Sequence, residues 1–271
     1  MKRSWISLYG PAMILALVLL LGWQMYTRIG NVNPLVLPAP TEIITTLGKS
    51  WDTLFDHTVY TLMETVLGLA LATICALVLA LIMDLVGVVR RALYPLLILS
   101  QTIPIVALAP LLRIWFGFDM GPKILVVILF CFFPITVACI DGLEGTPGDL
   151  IKLLRSMKAS RWQQLWFVRL PGALPSFFSG LRIAATYAPI AAIFGEIVGA
   201  EKGLGIFMQF SLNARATAQV FASIVILSLL SLFLFGFVIL LERLALPWYH
   251  STTASNRDGD NVSRKSKEMK G

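Results

Sequence analysis

Runs of uncharged residues about as long as a bilayer is thick dominate this chain. A helix needs about 20 apolar residues to cross a hydrocarbon core. Ser4 to Thr27, Thr65 to Met83, Ala92 to Leu112, Ile124 to Ile140 and Ala216 to Leu241 are runs of this kind. A further stretch, Ser176 to Gly199, carries Arg182 and Glu196 toward its ends, where each side chain can reach a membrane surface. These runs predict six transmembrane helices at about 6–27, 62–84, 92–113, 122–140, 176–199 and 217–242. Composition agrees: 57% of residues are hydrophobic, 14% are charged, and the mean hydropathy is +0.80. A soluble domain carries about 25% charged residues. A water-soluble enzyme, a disordered chain and a disulfide scaffold are therefore excluded. The expected fold is an all-α polytopic membrane protein, with a transmembrane domain over 1–249.

The net charge of +7 does not indicate a nucleic-acid partner, because the basic residues cluster in segments beside the apolar runs. With six spans, both termini fall on one side. That side collects 16 of the 22 Lys and Arg residues, so the positive-inside rule predicts that both termini are cytoplasmic. The first run follows Lys2 and Arg3, but no small-residue cleavage site succeeds it, so an uncleaved helix is expected. The outer segment from Arg28 to His57 contains an amphipathic stretch, Thr41 to Leu54, expected as a helix on the outer surface. The polar tail over 250–271 is expected to be disordered and cytoplasmic. Cys75, Cys131 and Cys139 all sit in apolar runs without metal-ligand spacing, so neither disulfides nor a metal site is expected.

The longest inner connection, residues 141–175, has its own organisation. Thr146-Pro147-Gly148-Asp149 predicts a helix start with Thr146 as cap. The spacing of Leu150, Leu153, Leu154 and Met157 then gives one apolar face, with Lys152, Arg155 and Lys158 beside it. Ser160-Arg161-Trp162-Gln163 predicts a second capped helix, stopped by Leu170-Pro171. Two short amphipathic helices can dock in a partner's groove. They can also lie as a hairpin on anionic lipid.

The loop resembles that of a known family. Asp141-Gly142-Leu143, then Ala159-Ser160-Arg161-Trp162-Gln163, Arg169-Leu170-Pro171-Gly172-Ala173-Leu174-Pro175 and Gly180-Leu181-Arg182 are similar to the cytoplasmic loop of ABC importer permeases. Pro104 with Ala107-Leu108-Ala109-Pro110-Leu111, Trp115-Phe116-Gly117, Phe132-Phe133-Pro134-Ile135 and Gly203-Leu204-Gly205 extend the likeness over about Pro38 to Gln209. The resemblance implies a type I importer fold in a bacterial inner membrane. It also implies a homodimer with a second permease copy, a cytosolic ATPase dimer, and an extracytoplasmic substrate-binding protein. The similar subgroup handles sulfonates, taurine, nitrate and thiamine pyrimidine precursors, the last being preferred from Phe178 to Thr186. ATP and Mg would bind the partner, leaving this chain without a cofactor or catalytic residue. Leu150, Lys152, Leu153, Leu154, Met157, Lys158, Ala159, Ser160, Arg161, Trp162, Leu170 and Pro171 would form the coupling surface. The family loop often reads Glu-Ala-Ala, three residues, then Gly. Here Lys152-Leu153-Leu154 and Lys158 hold those places, and compensating acids are expected on the ATPase.

Other residues carry weaker expectations. Gly48-Lys49-Ser50 is not a P-loop, since the required earlier glycine is Ile43. His57 and His250 fall on opposite sides, so no hydrolytic triad forms. Gln101, Thr102 and Pro104 break the third span, with Pro110 repeating the break. Such breaks are tolerated where they line a cavity, which makes Gln101 and Thr102 path candidates with Thr186 and Tyr187. Met120, Trp115 and the aromatics from Phe130 to Phe133 are expected to pack or meet lipid. Glu64 and Glu196 are expected near the outer ends of their spans, in structural or path roles. A rival reading, an ATPase-independent secondary transporter, would use either acid as a proton relay.

Overall fold

The computed structural model describes residues 5–117 and 119–247. The tail expected over 250–271 lies outside them. All regular elements among the described residues are helical. In chain order they are α1 (Trp5–Ile29), α2 (Pro40–Lys49), α3 (Trp51–Leu85), α4 (Gly87–Ser100), α5 (Ile105–Phe116), α6 (Met120–Glu144), α7 (Gly148–Ser156), α8 (Arg161–Gln164), a π-type turn (Leu165–Arg169), α9 (Leu170–Ile197), α10 (Leu204–Asn213) and α11 (Thr217–Ala245). Among the described residues, five segments are long and apolar enough to cross a membrane: Gly10–Ile29 of α1, α3, α6, the continuous helix Arg161–Ile197, and α11. A sixth crossing exists only if α4 and α5 are taken together, and they bend by 100°.

Several elements differ from the sequence expectation. The amphipathic stretch beginning at Thr41 is not one helix. It breaks at Ser50, and α3 starts at Trp51, well before the apolar run. At 35 residues, or about 52 Å, α3 projects beyond the hydrocarbon core. Pro104 does break the third apolar run, but Pro110 does not repeat the break, and α5 runs through it. Leu170-Pro171 does not stop the loop's second helix either. The wide turn at Leu165–Arg169 lies where Pro171 would clash with the carbonyl of Phe167, and the helix continues to Ile197.

The centre of the molecule is α3, α6 and α9, packed through residues with almost no side chain. Ala72, Ala76 and Ala80 of α3 and Ala184, Ala185, Ala188, Ala191 and Ala192 of α9 are all buried. A β-carbon on Gly68 would stand 2.5 Å from Val127 Cβ of α6, and one on Gly180 2.5 Å from Ala138 Cβ. One on Gly142 would meet the Ala173 carbonyl oxygen at 2.9 Å. Lipid is as apolar as leucine, so helices in a membrane associate through this close backbone approach and dispersion.

A buried polar node at one end secures α10. Glu196 is fully buried rather than reaching a surface. Its Oε1 accepts from Thr61 Oγ1 at 2.6 Å, and its Oε2 accepts from the Gly205 N–H at 2.5 Å. The Leu204 N–H donates to Thr61 Oγ1 at 2.9 Å and the Gly203 N–H to His57 Nδ1 at 3.0 Å. Three successive N–H groups at the start of α10 thus find acceptors on α3 and α9, replacing the side-chain cap that glycine cannot supply. Gly203 has φ +131°, and a β-carbon there would collide with the Glu196 carboxylate. Beside it, Lys123 Nζ of α6 pairs with Glu64 Oε1 at 3.0 Å, both side chains being largely buried.

Two outcomes follow from this packing. Gly180→Val and Gly68→Val are each expected to destabilise the purified protein by about 1–3 kcal/mol through overpacking. Gly236→Ala, which meets no atom within 4 Å, should melt with the parent. Glu196→Ala strands the Gly205 N–H and should cost about 1–3 kcal/mol. Hydrogen exchange at Leu204 and Gly205 would then accelerate, whereas unchanged protection would rule out the capping role.

Candidate functional site

Two regions collect the residues that the sequence marked. The first is the segment from α7 to α9. Pro147, not Thr146, stands at the cap position of α7, and the Thr146 hydroxyl donates to the Leu143 carbonyl. Asp149 does not close a capping box but pairs with Lys152 at 3.0 Å. The second start is built as expected: the Gln163 N–H donates to Ser160 Oγ, and the Ser160 N–H to Gln163 Oε1 at 2.8 Å.

The apolar side chains of α7 are offered outward. Leu150 is 45% exposed, Leu153 58% and Met157 71%. Leu154 is half-buried. The turn after α7 has a specific geometry. The Ala159 N–H bonds the Leu154 carbonyl and the Lys158 N–H the Arg155 carbonyl, both at 2.9 Å. Lys158 between them has φ +58°. This is a helix stop of the kind normally closed by glycine, at the place where the family loop carries glycine. Lysine keeps the same turn at the cost of a left-handed backbone. Arg215 (φ +56°) closes α10 in the same way, with the Ala216 N–H on the Ser211 carbonyl at 2.8 Å.

Polar bonds join the elements that carry this loop. Arg169 donates to Asp84 Oδ2 at 2.7 Å and to the Leu143 carbonyl at 3.3 Å, tying α9 to the ends of α3 and α6. Arg90 at the start of α4 pairs with Glu144 at the end of α6. Leu170 packs with Leu143, Leu165 and Ala173, and Pro171 is half-buried beside it. Leu170 and Pro171 therefore support the loop from within rather than extending its exposed surface. Ser160, Arg161 and Trp162 are exposed, and Ala159 is half-buried.

The second region is a groove of 520 Å³ along α6 and α9, closed at one side by the α4–α5 bend. It brings Gln101 and Tyr187 together with Phe130, Phe133, Asp141, Ser179 and Ile183. Thr102 sits at the bend with its hydroxyl on the Leu99 carbonyl, and Pro104 precedes α5. Thr186 is not part of this groove. It faces a separate cleft toward Leu227 and Ser228 of α11, because adjacent helical residues point about 100° apart. Glu64 and Glu196 belong to the α10 node. Arg182 pairs with Glu242 near the end of α11 at 3.5 Å. Phe130 packs on the core and stacks on Phe194, as expected of the aromatic run, and Phe130 and Phe133 also line the groove. The signal for them was available: Phe130, Phe133, Pro134, Val137 and Asp141 recur at helical spacing on one face of α6.

Known proteins match this arrangement. Residues 68–245 fit the family described as "Binding-protein-dependent transport system inner membrane component". The chain is 40% identical to the formylaminopyrimidine transport permease protein ThiX of Halalkalibacterium halodurans, over 92% of this chain and 98% of that one. It is 32% identical to the taurine transport system permease protein TauC of Escherichia coli, over 86% and 87%. The fold superposes on a solved amino acid ABC transporter, described with histidines, with a TM-score of 0.62 at 14% identity, covering 73% of this chain and 97% of the other. With the matched region running from Gly68 in α3 through α6, the loop and α9 to the end of α11, this chain belongs to the inner-membrane permeases of binding-protein-dependent ABC transporters.

Proposed function

We propose that this permease forms the translocation path of an importer and receives the force of ATP hydrolysis through α7. The observation that carries this reading is the exposed apolar ridge Leu150, Leu153 and Met157 on a loop pinned by Arg169 and Arg90. Exposed leucines beside basic residues fit a helix laid in a partner's groove. A cytosolic ATPase dimer would supply that groove, and ATP and Mg would bind there. The α7 end, with both chain termini, would be cytoplasmic. A second copy of the permease would complete the path, and an extracytoplasmic binding protein would deliver substrate to the α10 end. The helix Arg161–Ile197 offers a direct mechanical link, since it joins the loop to the groove without a break.

The groove lining supports a small heteroaromatic substrate of the thiamine pyrimidine precursor type. Phe130, Phe133 and Tyr187 offer ring faces, and Gln101, Ser179 and Asp141 offer polar atoms. Among the described residues no Lys or Arg lines the groove, whereas sulfonate, taurine or nitrate would call for a cation. The relative at 40% identity is a formylaminopyrimidine permease. Secondary transport through an acid relay has less support. Both Glu196 oxygens are engaged in holding α10, and Glu64 is neutralised by Lys123.

The test uses the permease co-expressed with its ATPase and binding protein in proteoliposomes. The parent should retain the ATPase and take up a formylaminopyrimidine, with taurine uptake at least tenfold slower. Leu150→Asp with Leu153→Asp should abolish ATPase retention and uptake while leaving the melting temperature within a few degrees. Uptake without any ATPase would overturn the proposal. Lys158→Gly should stabilise the loop by about 1 kcal/mol by removing a left-handed non-glycine residue. Thermal unfolding would show this, with ATPase retention preserved.

A further inference from the structure

Behind α7, on the side away from its apolar ridge, lies a cavity of 280 Å³ lined by Asp84, Leu85, Thr146, Ile151, Arg155, Arg161, Gln164 and Arg169. Three guanidinium groups and one carboxylate meet there. Arg169 already neutralises Asp84. Among the described residues, the Arg155 and Arg161 side chains have neither a hydrogen-bond nor an ion-pair partner. Two uncompensated guanidinium groups around one cavity present a fork of donors suited to a tetrahedral oxyanion. We propose that this cavity binds the phosphate group of an anionic phospholipid.

The position selects the source of the phosphate. Asp84 and Leu85 end α3, and Arg169 lies at the loop end of the long helix Arg161–Ile197, so the cavity stands at the end of two apolar spans, where lipid headgroups would be met. Ile151 and Arg155 stand one helical turn apart on α7, away from the ridge of Leu150, Leu153 and Met157. A partner docked on the ridge would therefore leave the cavity open. Next to Arg161, Trp162 and Trp166 form an exposed edge-on pair with ring centroids 5.7 Å apart, and Phe167 is 76% exposed. Exposed tryptophans at the end of a span are the usual mark of the interfacial zone. Basic pockets between spans on the cytoplasmic side suit such headgroups. The bound lipid would brace α7 against α3 across this cavity.

The test measures retained lipid by native mass spectrometry on the full chain, extracted in a neutral detergent with added phosphatidylglycerol or phosphatidylcholine. The parent should retain phosphatidylglycerol preferentially. Arg155→Gln with Arg161→Gln should weaken that retention by on the order of fivefold for each arginine. Lys152→Gln with Lys158→Gln removes the same charge outside the cavity and should leave retention near the parent value. A parallel arm adds sodium phosphate or sodium chloride, at matched ionic strength, to delipidated protein. A melting shift specific to phosphate, present in the parent and absent in the arginine variant, would assign the cavity to phosphate from any source, and equal lipid retention in that case would identify the free anion as the ligand. Equal lipid retention with no phosphate-specific shift in the parent would overturn the proposal. So would an arginine variant that keeps its lipid but no longer retains the ATPase, because the arginines would then belong to the protein interface. If the double variant does not accumulate, Arg161→Gln alone and the parent's lipid preference carry the same comparison.

Discussion

The close approach of three helix backbones governs what the rest of this molecule can do. Gly68 against Val127, Gly180 against Ala138 and Gly142 against Ala173 bring α3, α6 and α9 nearer than ordinary side chains allow. In lipid no water-driven force pushes helices together, so this contact and its dispersion energy must hold the core. A column of buried alanines on α9 extends the same contact along the helix. The result is a rigid centre with polar work assigned to its two ends and a groove along one flank.

The two ends solve different electrical problems. At the α10 end, helix N–H groups that would be orphaned inside the protein are received by His57, Thr61 and Glu196. Glu196 therefore acts as a cap donated from another helix, which explains a carboxylate buried so completely. At the α7 end the charges lie nearer water and tie elements together: Arg169 to Asp84, and Arg90 to Glu144. These pairs join the loop ends of α3, α4, α6 and α9. The wide turn at Leu165–Arg169 keeps α8 and α9 in one helix despite Pro171.

The departures from the family loop have local explanations. Lys158 takes the left-handed position that glycine would fill, and the two backbone hydrogen bonds of the turn form regardless. Lys152 finds Asp149 one turn earlier. Neither change removes the apolar ridge, which is the part a partner would bury. The loop keeps its shape because turn geometry depends on backbone torsions, which lysine can adopt at modest cost.

Hydropathy runs and charge counts by themselves determined the membrane class, the helical architecture and the approximate places of the apolar helices, because the bilayer requires long uncharged helices wherever the chain crosses. Local patterns also determined the Ser160 capping box and the apolar face of α7, since both depend on residues three or four apart. Only the tertiary structure decided the fate of Glu64 and Glu196. Their partners, Lys123 and Thr61, are distant in the chain, and no periodicity announces a cap contributed by another helix. The same holds for Leu170-Pro171, which local rules make a stop and a widened turn makes a continuation. Gln101 and Tyr187 became neighbours by the packing of α6 against α9 and the 100° bend before α5. Which face of a helix meets a cavity is fixed by the neighbours it packs on, and those neighbours are chosen by contacts far apart in sequence.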